Sequence, residues 1–229
     1  MIEKIWNNFY NSVIFDDRYK YIFEGLFNTI TMAIFACIIG VVIGLILALI
    51  NDYNKETGKL KIANKIGNLY ITVIRGTPVL LQLMIIYYVI FKSVDTNIIL
   101  IGILAFGLNS GAYVSQIIKS GLISINAGQR EAGKSLGLSY SQITRYIIMP
   151  QAIRNIKPAL GNEFITLLKE TSVAGYIGIV ELTKASDIIA SRTYDYFFPL
   201  IITSIIYLTL TMCLSKLINR GDDENALNS

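Results

Sequence analysis

Five apolar stretches, at about 26–50, 70–91, 98–118, 158–180 and 197–218, constrain this chain more than any other feature. A helix needs roughly 20 apolar residues to cross a bilayer core of about 30 Å, where no water satisfies an open backbone. The pattern predicts an all-α integral membrane protein with five transmembrane helices. Composition agrees: 53% of the 229 residues are hydrophobic and 16% charged, too apolar for an ordinary soluble domain. Arg75 and Pro78 interrupt the second stretch, and Glu163, Lys169 and Glu170 the fourth.

The ends and the charge narrow the class further. Residues 1–25 read as an extracytoplasmic segment. Within it Trp6, Phe9, Tyr10 and Val13 recur at helical spacing, as in an amphipathic helix on a membrane surface. The opening residues carry charges throughout and no continuous apolar core, so no cleaved signal peptide is expected. A net charge of +4 is too small for a nucleic-acid surface, and two cysteines without any histidine fit neither a disulfide framework nor an ordinary zinc site. Residues 219–229 read as a solvated cytoplasmic tail.

Five spans place the termini on opposite sides, and Lys and Arg in the connections choose the side. One set of connections holds Lys55, Lys59, Lys61, Lys65, Lys119, Arg130, Lys134, Arg145, Arg154, Lys157, Lys216 and Arg220; the other holds Lys4, Arg18, Lys20, Lys92, Lys184 and Arg192. The richer set is expected inside, which puts the N-terminus outside and the C-terminus in the cytoplasm of a cell bounded by this membrane. One large cytoplasmic connection results, about residues 119–157. It is too polar to cross the membrane and too short for a catalytic domain, so an interaction element is expected there.

Within it, Gly128 to Ser135 fit the phosphate-loop pattern G-x-x-x-x-G-K-S. Such a loop needs a buried strand before it and a helix after it, and this segment follows a membrane span instead. The match is read as accidental, and no nucleotide or metal is expected on this chain. A longer pattern accounts for the same residues: Glu131-Ala132-Gly133, then Gly137, Ile147 and Met149-Pro150. This resembles the E-A-A-x-x-x-G-x₉-I-x-L-P loop of permease subunits of bacterial ABC importers, with Gly133 in place of the second Ala and Met149 in place of Leu. Upstream, Arg75-Gly76-Thr77-Pro78 followed by Gln82 resembles the R-G-T-P-x-x-x-Q signature of the polar amino-acid branch, the histidine, glutamine, arginine and cystine type. Gly121-Leu122-Ile123-Ser124, Lys169-Glu170-Thr171-Ser172 and Glu181-Leu182-Thr183 extend the likeness, which covers most of the chain from Gly25 to about Arg192. Gln116 and Lys119-Ser120 depart from it, where the family usually has Glu and Arg-Gly.

The residues support a mechanical reading of the loop. Gly128 to Leu136 and Ser141 to Ile148 suit two short helices, with Gly137 free to adopt the left-handed conformation that ends the first. Pro150 is expected to limit the second before the chain turns back to the membrane. The resemblance implies that Glu131, Ala132, Gly133, Gly137, Ile147 and Pro150 couple the spans to a separate ATPase. It also implies two ATPase copies carrying ATP and magnesium, a second permease subunit, identical or paralogous, and an extracytoplasmic substrate-binding protein.

The substrate path is expected among Arg75, Thr77, Asn162, Glu163, Thr166, Lys169 and Glu170. Glu163, Thr166 and Glu170 lie at i, i+3 and i+7 on one helix face, a stripe unfavourable against lipid. For any one of them a structural hydrogen bond and a substrate contact are both open, and so is the choice between an ammonium and a carboxylate as the group bound. Ala36, Gly40, Gly44 and Ala48 form a small-residue stripe in the first span, read as packing inside the subunit ahead of a dimer contact. A permease for methionine or a similar solute is the nearest alternative, followed by an ion-coupled secondary transporter.

Overall fold

A computed structural model of the protein describes the backbone of residues 2–227 and, in side-chain detail, residue 3 and residues 6–218. Among the described residues every regular element is helical. Helix α1 (Ile2–Phe9) precedes α2 (Tyr19–Thr57), a single helix of 39 residues. Next come α3 (Lys61–Arg75) and α4 (Val79–Ile85), the latter prolonged by π-helical turns over Ile86–Ile90. The chain continues through α5 (Ile98–Ser124), α6 (Ala127–Ser135), α7 (Tyr140–Gln142), α8 (Met149–Glu170), α9 (Leu182–Thr193) and α10 (Phe197–Leu227). Among the described residues three helices are long and apolar enough to cross a membrane, α2, α5 and the Phe197–Ile218 part of α10, and the bent pair Lys61–Arg75 with Val79–Ile90 makes a fourth if it counts as one span.

The centre of the fold is the pairing of α2 with α5. The small-residue stripe makes it possible: a Cβ on Gly40 would stand 2.7 Å from Ser110 Oγ, and one on Gly44 would stand 2.6 Å from Val114 Cγ1. The stripe therefore serves close packing within the subunit. On the opposite side of α2, Phe27, Phe35, Ile38, Val42 and Ile46 are exposed, the apolar surface expected of a helix facing lipid.

The second apolar stretch is not one continuous helix. α3 begins at Lys61, nine residues before the expected start, and α3 and the α4 segment meet at a bend of 109°. Pro78 is the cause: it has no N–H to donate, and its ring disfavours helical backbone at Thr77. Gln82 stabilises the break. Its Nε2 donates to the carbonyls of Ile74 at 2.8 Å and Thr77 at 3.0 Å and to Thr77 Oγ1 at 2.7 Å. These are carbonyls that the interrupted helix leaves open, and in a membrane an open carbonyl costs several kcal/mol.

The expected connection 119–157 contains the end of α5, the α6–α7 region and the start of α8. α5 runs to Ser124 and α8 starts at Met149, so residues 125–148 lie between these two helices. Pro150 does not end a helix. α7, π-helical turns over Ile143–Ile148 and α8 run on without a turn, Met149 keeping right-handed backbone at φ −59° and ψ −43°. Proline in the first turn of a helix needs no donor, and the wider π turns ahead of it remove the usual clash with the preceding carbonyl. Gly137 has φ +73° and closes α6 as anticipated. At its far end α8 stops at Glu170, ten residues short of the expected 180, and gives way to a 3₁₀ segment over Thr171–Ile177.

The expected amphipathic face near the N-terminus is divided. Phe9 packs edge-on against Phe198 at 5.7 Å, and Val13, beyond the end of α1, is buried with Ile22, Leu182 and Ile189. Trp6 and Tyr10 point outward. Cys37 and Cys213 are both free thiols.

Candidate transport site and coupling element

Two groups of expected site residues lie at different levels of the bundle. The first surrounds the middle of α5. Ser110 Oγ donates to Glu163 Oε1 of α8 at 3.0 Å, and one turn further along, the Tyr113 ring lies 5.5 Å beneath the Arg75 guanidinium carbon. A carboxylate and a guanidinium thus contact α5 about one turn apart. Glu163 and Glu170 are half-buried, while Asn162, Thr166 and Lys169 are exposed. Arg75 is exposed at the end of α3 and stands on an aromatic face, where a cation gains about 0.5–2 kcal/mol. Thr77 differs from the rest. Its hydroxyl donates to Val73 O at 2.9 Å and accepts from Gln82, so it belongs to the cap of the break.

Sequence reasoning missed Ser110 and Asn109 of this region, and the role of Gln82. Ser110 holds Glu163, and Gln82 with Asn109 holds the break, Asn109 Nδ2 donating to Gln82 Oε1 at 2.9 Å. Gln82 was visible as the last letter of a motif, but its role required knowing that the helix breaks. A side-chain amide in an otherwise apolar span was the available signal for Asn109.

The second group is the α6–α7 turn. Asn126 caps α6 by accepting from Gly128 N at 2.8 Å. Ser139 and Gln142 cap α7 reciprocally. Gly133 is buried, and a Cβ there would stand 2.8 Å from Ile143 Cγ1 and 3.3 Å from Ile147 Cδ1. That contact seats α6 on the π-helical turns, with Ile147 among the residues beneath it. Glu131 and Ala132 are exposed on the outer face, as are Leu136, Gly137 and Pro150. The phosphate-loop match Gly128 to Ser135 lies inside α6, where most backbone N–H groups serve the helix and cannot cradle a phosphate.

Long apolar helices, a bent helix pair and a tightly packed α2–α5 pair mark an all-helical membrane protein. Residues 40–221 match the family of binding-protein-dependent transport system inner membrane components, and the chain belongs to that family as an ABC transporter permease. It is 38% identical over 203 residues to a putative glutamine transport system permease protein GlnP of Rickettsia typhi, covering 88% of this chain and 91% of that one. Its identity to the arginine transport system permease protein ArtQ of Bacillus subtilis is 36%, covering 85% and 88% respectively. With the glutamine transport system permease protein GlnP of Escherichia coli it is 33%, covering 82% and 87%. Among solved structures, an amino acid ABC transporter crystallised with histidines is similar with a TM-score of 0.82 at 40% identity, covering 90% of this chain and 94% of the other. The MetNI methionine transporter shares the fold at a TM-score of 0.70 and 20% identity.

Proposed function

We propose that this chain is the translocation subunit of an ATP-driven importer for a polar L-amino acid. The observation that carries the reading is the α6–α7 turn, which exposes Glu131 and Ala132 while Gly133 packs against Ile143 and Ile147 of the π-helical turns leading into α8. Relatives named for glutamine and arginine transport support the substrate class. In this reading five spans cross the membrane, α8 supplying the fourth, with the N-terminus outside and the turn in the cytoplasm. Two permease subunits, identical or paralogous, stand over two copies of a separate ATPase that binds ATP and magnesium. A substrate-binding protein delivers the amino acid from outside. This chain holds no nucleotide.

The substrate path runs past α5. Arg75 faces the α-carboxylate, and Glu163 with Glu170 faces the α-ammonium or a basic side chain, while Asn162, Thr166 and Lys169 line the approach. ATP binding draws the ATPases together, Glu131, Gly137, Ile147 and Pro150 move with the turn, and the spans exchange inward for outward access. That exchange requires ATP to bind one of the two states more tightly. The test is uptake of labelled amino acids into vesicles containing the whole complex, with competition by a panel of amino acids. ATP-dependent uptake inhibited by polar or basic amino acids is expected. Uptake driven by an ion gradient without ATP, or inhibited only by methionine, contradicts the reading.

A further inference from the structure

The end of α2 carries two acids that its own helix disfavours. Asp52 and Glu56 occupy the last turns, where the helix dipole presents negative charge. Opposite them, Arg130 and Lys134 of α6 repeat the same four-residue spacing, so two acids on one helix face two bases on another. Arg130 Nη2 donates to Asp52 Oδ1 at 2.8 Å and Nη1 to Asp52 Oδ2 at 3.2 Å. The Tyr140 hydroxyl at the start of α7 donates to the same Oδ2 at 2.7 Å. Only 12% of the Arg130 side chain and 11% of the Asp52 side chain are exposed. By contrast Lys134, which meets Glu56 at 2.8 Å, is 60% exposed and screened by water. Burial, and then the bond to Asp52, push the Tyr140 hydroxyl up, which keeps it a proton donor.

We propose that Asp52 is a positioning residue that clamps the α6–α7 turn to α2, so that a push on α6 moves the α2–α5 pair as one body. A two-pronged guanidinium–carboxylate pair fixes direction as well as distance, which a lysine contact does not. Such a pair adds little net stability, because desolvation offsets its attraction, so registration of the two helices is its stronger use. The third contact, from Tyr140, joins α7 to the same carboxylate, and Tyr53 one residue along packs edge-on against the Tyr140 ring at 4.9 Å. The mechanical route is then continuous. α2 spans about 58 Å at the usual rise per residue and packs against α5 at Gly40 and Gly44, and Ser110 of α5 holds Glu163.

This inference rests on the coupling role proposed for the turn, and its test separates the two. The complete complex, with ATPase and binding protein, is reconstituted carrying Asp52→Asn, Arg130→Gln, both together, or Glu131→Ala. ATPase retained on the permease and ATP turnover with and without loaded binding protein are measured. Each clamp variant is expected to keep the ATPase bound but lose at least about fivefold of its stimulation, and the double variant to lose no more than either single one. Wild-type stimulation in Asp52→Asn beside lost stimulation in Glu131→Ala overturns the clamp alone. Full stimulation in Glu131→Ala overturns the coupling role, and the clamp with it. Release of the ATPase by Asp52→Asn shows a docking residue instead and also contradicts the clamp. If a single variant fails to insert, the double variant leaves no unpaired charge and decides the matter: wild-type stimulation in it overturns the proposal.

Discussion

Asn109 donates its side-chain amide to the Gln82 oxygen at 2.9 Å, and Gln82 in turn donates to Ile74 and Thr77 across the break in the second span. A polar pair in the apolar interior thus replaces the helical bonds that Pro78 removes. Replacing Gln82 with Leu strands two carbonyls and the Asn109 donor. We expect a loss of about 1–3 kcal/mol for each group left without a partner, read as lower resistance to unfolding in mixed micelles. Wild-type stability in Gln82→Leu would show that the break is held by other means.

The α2–α5 contact predicts a steric effect with a specific remedy. In Gly44→Ala the new methyl group would sit 2.6 Å from Val114 Cγ1 and 2.8 Å from Ser115 N. Overpacking of this kind costs about 1–3 kcal/mol. Combining it with Val114→Gly removes both Cγ1 and the Cβ that would stand 2.8 Å away and is expected to recover part of the steric loss, whereas strictly additive losses in the pair would contradict the packing described.

Much of this was legible in the sequence. Apolar length identified the membrane class, and the turn at Gly137 followed from the need for positive φ. Less legible were the consequences of proline. Pro78 and Pro150 look equally disruptive in a sequence, yet one bends its helix by 109° and the other lies inside an unbroken run. The difference lies in neighbours distant along the chain: Gln82 and Asn109 accommodate the break at the first, and π turns absorb the second. The clamp was hidden for a similar reason, since Asp52 and Arg130 lie 78 residues apart.

At the proposed transport site, Glu163 is expected to act on substrate through its charge. Glu163→Gln keeps the hydrogen bond from Ser110 available and removes only the charge, so the affinity of the reconstituted transporter for a polar amino acid should weaken about tenfold, or 1.4 kcal/mol. Ser110→Ala leaves the charge and should weaken affinity less. Unchanged affinity and selectivity in Glu163→Gln would place the substrate elsewhere.

Gly137 tests the shape of the turn. At φ +73° an alanine is strained by about 1–2 kcal/mol. Gly137→Ala is expected to insert normally yet to reduce substrate-stimulated ATP turnover, because α6 no longer sits squarely on the π-helical turns over Ile143–Ile148. Normal stimulation would mean that the turn tolerates another geometry.

The most direct test of the whole account is ATP turnover by the reconstituted complex carrying Glu131→Ala, measured with and without loaded binding protein. The exposed face of α6 is proposed to receive the force that opens the spans, so turnover should no longer respond to substrate while the permease remains inserted. Stimulation at the wild-type level would contradict the account.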